Sequence, residues 1–159
     1  MRRILSPLSL VLALVVLAGC SDGDKSTPES GTPSAGPVKS MKHADAQALA
    51  DKYRTEAVTA MAATPTGPPT SSLAPCEGPH TFTAITYGDV PVPAAQQPAA
   101  LQKLRDHYTG EQYTVASTGA DGSLNATAAD RVNISVAPEG TDTLRVNIAT
   151  PCYSSDEPL

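Results

Sequence analysis

Three cysteines and three histidines are the residues of this chain best suited to chemistry, and their spacing decides what they can do. A zinc site is usually assembled from two closely spaced Cys/His pairs. Cys76 and His80 make one such pair and no second exists, so no metal site is expected. His107 follows Asp106 in a helical pattern. Adjacent helical side chains point about 100° apart, so these two cannot form an Asp-His relay and His107 reads as a surface or boundary residue. His80, close to Cys76 and Glu77, reads as part of a polar loop, and His43 as the exposed start of a helix. Serine chemistry has no support, because neither a Gly-x-Ser-x-Gly elbow nor a Ser-x-x-Lys motif occurs. A pair of catalytic carboxylates could come from distant parts of the chain. Glu77, Asp89, Glu111 and Asp130 nevertheless fall at expected element ends, where water solvates them. Gly119-Ala120-Asp121-Gly122 is a turn, too short to cradle phosphate or calcium. A non-enzymatic role is the expectation.

The N-terminus carries a different kind of chemistry. Arg2 and Arg3 precede an apolar run over residues 8–18, which is shorter than the roughly 20 residues a membrane-spanning helix needs and has the order of a secretory signal. The run closes with Leu17-Ala18-Gly19-Cys20, which resembles the lipobox of bacterial lipoproteins. The resemblance implies that residues 1–19 are a signal peptide removed on export. It also implies that Cys20 carries a diacylglyceryl thioether, with palmitate-type chains there and an N-acyl chain as a further option. Each buried methylene contributes about 0.8 kcal/mol, so two or three chains hold a protein on the outer face of the cytoplasmic membrane. No other cofactor is expected. With Cys20 acylated, Cys76 and Cys152 are left in an oxidising compartment, where one disulfide is expected between them. Closing a loop of that length contributes about 4 kcal/mol in the chain-entropy account.

Charge narrows the partners. The formal net charge of −5 becomes about −7 without Arg2 and Arg3, and no Lys/Arg cluster survives beyond Cys20. Nucleic acid is therefore excluded as an expected partner, and so is a second, electrostatic hold on anionic lipid. With no Trp, one Phe (Phe82) and five Tyr, the core must be filled by Ala, Val and Leu.

The elements that must position any site follow from pattern. Residues 20–40 are the lipidated cysteine and a Gly/Pro/Ser/Thr tether with almost no apolar residue, wandering about 25 Å and reaching roughly 60 Å at full stretch. Residues 41–153 form one domain. The spacing of Ala46, Leu49, Tyr53, Ala57, Ala60 and Met61 predicts a helix over 42–63, with Asp45, Lys52 and Glu56 off that stripe. It is stopped by Thr64-Pro65-Thr66-Gly67-Pro68-Pro69, and a loop leads on to Cys76. A strand is expected over 81–87. A second helix over 98–109, with Pro98 near its start and Gly110 at its end, buries Ala100, Leu101, Leu104 and Tyr108. Strands follow over 112–118, through Leu124 and Ala126, and over 131–137 and 143–150. The last two make a hairpin in which Val136 faces Leu144, Ile134 faces Val146 and Val132 faces Ile148. That register sets Asn133 against Asn147 and Ser135 against Arg145 on the opposite, watered face. Residues 154–159 are an acidic tail without a pattern. The expected fold class is α+β: two helices on one face of a four- to five-stranded, mostly antiparallel sheet, with Cys76 and Cys152 stapling the sheet's ends.

Leu104-Arg105-Asp106-His107-Tyr108, Gly110, Tyr113-Thr114-Val115 and Thr150-Pro151-Cys152 are also similar to small secreted lipoproteins of actinobacteria, whose activities are largely unknown. That similarity supports the fold and supplies no mechanism. The functional expectation is a lipid-anchored interaction module that meets an envelope protein or wall polymer through Asn133, Ser135, Arg145 and Asn147. The alternatives are a carrier or sensor of a small apolar ligand held between helix 98–109 and the sheet, and a wall-acting hydrolase with converging carboxylates or a His-acid pair.

Overall fold

The structure, a computed structural model, describes residues 38–116, 119 and 122–159. Leu17, Ala18, Gly19, Cys20 and most of the expected tether lie outside the described residues. Helix α1 (His43–Ala60) forms because its sequence is free of Gly and Pro and rich in Ala. Its buried stripe is Ala46, Ala50, Tyr53, Arg54, Ala57 and Val58, at spacings of three and four plus their neighbours, while Leu49 and Ala60 sit at the margin. The helix ends three residues before the expected Ala63. Ala62 turns left-handed (φ 56°), the Ala62 N–H bonds to Thr59 C=O and the Ala63 N–H to Val58 C=O, the pair of bonds of a Schellman stop. Helix α2 (Gln97–Gly110) carries Pro98 in its first turn and is entered through a 3-10 turn, Ala94–Gln96. It buries Gln97, Ala100, Leu104 and Tyr108.

The strands are β1 (Thr70–Pro75), β2 (Thr81–Pro91), β3 (Thr114–Val115), β4 (Leu124–Thr127), β5 (Asn133–Pro138), β6 (Thr143–Ala149) and β7 (Tyr153–Ser154). All belong to one sheet of order β1-β2-β6-β5-β4-β3, with β7 on β2 and every ladder antiparallel. Helix α1 lies over β2 and β6, α2 borders β3 and β4, and the two helices touch. The fold is therefore α+β, with more strands than the four or five expected from the sequence. The additions are β1 and β7. Strand β1, Thr-Ser-Ser-Leu-Ala-Pro, has weak strand propensity and a terminal Pro, so it reads as loop; six residue pairs with β2 hold it, and its edge position tolerates the Pro.

Strand β7 continues the line of β6 along β2 after one extra residue. Ile85 pairs with Ala149, but Phe82 pairs with Tyr153, a bulge centred on Thr150-Pro151-Cys152. Thr150 repairs the ladder there: its Oγ1 accepts the Ala84 N–H (2.9 Å), and its carbonyl accepts the Thr83 hydroxyl (2.7 Å). Cys152 sits at this bulge and is bonded to Cys76, in the β1–β2 connection, with a Cα–Cα distance of 6.2 Å. The expected disulfide is present, but it ties together chain that flanks β2 rather than the two ends of the sheet.

The β5–β6 register differs from the expected one by two residues. Val136 pairs with Val146, Ile134 with Ile148, Ser135 with Asn147, Asn133 with Ala149 and Ala137 with Arg145. A tighter turn sets this, closed by the Glu139 N–H on Thr143 C=O (2.8 Å), with Gly140 at φ 73°. A slip of two keeps every side chain on its expected face. The chain past Cys152 is also held, since the Ser154 N–H bonds to Lys39 C=O, Ser155 is buried and Glu157 meets His43. His43 itself, expected to be exposed, packs edge-on against Phe82 with ring centroids 4.5 Å apart.

The core between helices and sheet is apolar. Phe82, Leu104, Tyr108, Leu124, Ile134, Val136, Leu144, Val146 and Ile148 are all essentially inaccessible. Arg54 intrudes into this layer: buried, it passes over Gly88, where an added Cβ would lie 2.8 Å from its Nη2.

Candidate interaction face

Alternation along each strand sends every second residue away from the helices, and the rows these residues make across the sheet follow from the register. One row runs Asn125, Ser135, Asn147, Tyr87, Thr70 over β4, β5, β6, β2 and β1. The next runs Thr114, Thr127, Asn133, Ala149, Ile85, Ser72, starting from β3. A third contains Ala137, Arg145 and Asp89. Nothing in the described chain covers this face. Between β3 and β6 it forms a depression of about 350 Å³, lined by Thr114, Asn125, Thr127, Asn133, Ser135 and Asn147 with small Ala residues between them. Beside it stands Tyr87, 40% exposed, the cross-strand neighbour of Asn147.

Three of the four residues expected to form an interaction face, Asn133, Ser135 and Asn147, are thus brought together. Arg145 shares the face but not the depression. Its Nε and Nη2 donate to the two Asp89 carboxylate oxygens (2.9 and 3.2 Å), and its Nη1 lies 3.2 Å from Glu139 Oε1. The Arg145 bond holds the Asp89 carboxyl below its ordinary 3.8, and Asp89 raises Arg145 in turn. Asp89 is therefore exposed, as expected, but lies within β2 and is held in an ion pair. Asn125, Thr127, Thr114 and Tyr87 were not foreseen as part of the face. The alternation of Leu124-Asn125-Ala126-Thr127 and the step from buried Thr86 to Tyr87 were the signals that could have found them.

Among the described residues that line the depression none has an ionisable side chain. Thr127 Oγ1 donates to Asn133 Oδ1 (3.1 Å). Asn125, Ser135 and Asn147 use no side-chain hydrogen bond among the described residues, so their amides and hydroxyl are available to a ligand.

A second polar cluster lies between the helices. Tyr53 and Glu56 come from α1, His107 and Tyr108 from α2, and Tyr113 precedes β3. His107 Nε2 is 2.9 Å from Glu56 Oε1, and the Tyr113 hydroxyl donates to the same oxygen at 2.6 Å. The Tyr53 hydroxyl reaches both Asp130 carboxylate oxygens at 3.0 Å, so Asp130 is engaged as well. The rings of Tyr108 and Tyr113 lie 4.5 Å apart, and the Tyr108 hydroxyl is buried without a partner. Burial, and for Tyr113 the Glu56 bond as well, pushes the Tyr53, Tyr108 and Tyr113 hydroxyls well above 10.0. A His-acid pair therefore exists, though not with Asp106, which accepts from Gln102 (2.7 Å). Sequence reasoning missed it because Glu56 and His107 are 51 residues apart. With Oε1 shared between His107 and Tyr113, the pair acts as a clamp between α1 and α2.

The space beneath α2 is filled by Leu104 and Tyr108, both fully buried. Outside it, a groove of about 380 Å³ runs past Ala94, Pro98, Leu101, Arg105 and Pro138, with exposed Gln102 on its wall. Among the described residues no group of three or more His, Cys, Asp or Glu side chains is placed to hold a metal ion, and no helix is long and apolar enough to cross a membrane. His80 is exposed, with a left-handed backbone (φ 55°) whose carbonyl accepts the Ser155 N–H. Comparison with family models, with curated proteins and with solved structures finds no significant match to this chain.

Proposed function

We propose that this chain is an extracytoplasmic lipoprotein, held on the outer face of the cytoplasmic membrane by acylated Cys20, that serves the cell envelope as a non-enzymatic interaction module. The observation that carries the reading is the uncovered sheet face, concave between β3 and β6 where its described lining is neutral and polar, with unengaged amides and a flanking tyrosine. Solvated Asn, Ser and Thr in rows are a recognition surface, and among the described residues no free acid-base pair stands over them. The hydrolase reading has less support, since Glu56 and His107 are committed to each other and to Tyr113. The carrier reading has less as well, because the helix-sheet interior is packed and the groove outside α2 is open and partly polar.

Two measurements on whole cells test it. Cys20→Ser should move the protein to the medium or leave an uncleaved precursor, and unchanged membrane retention overturns the anchor. A photoreactive residue at position 147 should give adducts in intact cells that the same residue at position 103, on the outer side of α2, does not. Equal labelling from both sites overturns the face.

A further inference from the structure

We infer that the depression on the open sheet face binds an uncharged polysaccharide chain, laid across the strands from Asn125 to Tyr87. The inference rests on the interaction-module reading and names the chemistry of its partner. Charge comes first. Among the described residues the lining side chains Thr114, Asn125, Thr127, Asn133, Ser135 and Asn147 are all neutral, and Arg145 on the same face is paired with Asp89 and Glu139. An acidic or basic polymer would find no counter-charge among the described lining residues and would lose hydration on docking. A neutral, hydroxyl-rich chain meets its own kind of group.

The arrangement of donors and acceptors points the same way. A side-chain amide offers a donor and an acceptor side by side, which suits vicinal hydroxyls or an acetamido group. Asn125, Ser135 and Asn147 stand in one cross-sheet row and spend none of this capacity within the described protein. Tyr87 follows Asn147 in the row and is exposed. The electron-rich face of an aromatic ring suits the electropositive C–H face of a sugar ring. From Asn125 to Tyr87 the row crosses three strand spacings, roughly 14 Å, the length of a short oligosaccharide. An extended peptide is the poorer fit. The main-chain groups of β4, β5 and β6 are already paired on both sides, and the adjoining edge, β3, offers only two residues for strand addition.

The test uses the full chain in mild detergent on an array of immobilised chito-, cello-, malto-, arabino- and galacto-oligosaccharides, with polygalacturonate as the acidic control. Calorimetric titration of the best-bound oligosaccharide then compares wild type, Tyr87→Ala and Ser135→Arg. At least one neutral oligosaccharide should bind, Tyr87→Ala should weaken it about tenfold or more, as expected for a lost stacking platform of about 1.5 kcal/mol, and Ser135→Arg should abolish it. Thermal melts matching wild type show that both variants fold. Absence of binding to every neutral oligosaccharide, stronger binding to polygalacturonate, or full binding by Ser135→Arg each overturns the inference. If it fails in this way while position 147 still gives protein adducts in cells, the wider reading stands with a protein partner. If neither oligosaccharide binding nor adducts are seen, both readings fall together.

Discussion

The two faces of the sheet are made from alternate residues of the same strands, yet they do opposite work. On β5, Ile134 and Val136 point under the helices and are inaccessible, whereas Asn133 and Ser135, between and beside them, meet water. The covered face spends most of its polar groups internally, Glu56 on His107 and Tyr113, Asp130 on Tyr53, Asp51 on Ser71 and Thr86, while the Tyr108 hydroxyl and Arg54 Nε and Nη2 stay buried without a hydrogen bond among the described residues. The open face leaves Asn125, Ser135 and Asn147 unengaged. The difference teaches where stability and recognition are separated. Residues whose groups are already satisfied hold the fold, and those left unsatisfied in water are free to bind.

The sharpest way to break this comparison is on adjacent residues. Ile134→Ala removes buried methylenes from the covered face and should destabilise by about 2–5 kcal/mol, while Ser135→Ala on the open face should change stability by less than about 0.5 kcal/mol. Urea unfolding of the two variants measures both, and similar losses would show that the open face is packed against something.

Next in size is the alkaline limb. Tyr53, Tyr108 and Tyr113 have folded pKa values raised above 10.0, so the folded state keeps protons that the unfolded chain begins to release near that pH. Their contribution is complete below about pH 10 and falls as pH rises toward the folded values. Stability followed by circular dichroism should drop steeply above pH 10, and Tyr108→Phe, which removes one of the three groups and a buried unpartnered hydroxyl, should make the drop shallower. An unchanged slope in Tyr108→Phe would remove Tyr108 from the cluster that carries it.

The smallest effect belongs to the open-face ion pair. Asp89 is lowered by Arg145, so its contribution is present above the ordinary carboxylate value and is lost as pH falls through the folded one. Both partners are largely exposed and screened by salt. Asp89→Asn should leave the melting temperature near wild type, with any difference disappearing at molar salt. A large loss there would mean that the open face, too, carries the fold.

Much of the architecture was legible from pattern. The helices, the strands from β4 to β6 and the in-out alternation that puts Asn133, Ser135 and Asn147 together all follow from apolar periodicity, which is local. Strand β1 was not legible, because Ser, Ser and Pro carry no strand signal and only pairing with β2 makes it a strand. The Glu56-His107-Tyr113 contact and the Arg145-Asp89 pair were hidden for the same reason: each joins residues more than 50 positions apart.

By itself the sequence determined the class of elements and the face each strand residue takes, since periods of 3.6 and 2 need no knowledge of distant neighbours; the pairing of Cys76 with Cys152 was expected only once Cys20 was set aside as acylated. Tertiary structure alone decided the two-residue register shift, the bulge at Thr150, the strand order that sets Tyr87 beside Asn147, and which polar groups are spent and which stay open. Those depend on which strands lie side by side, and a two-residue slip conserves every local preference while changing every partner.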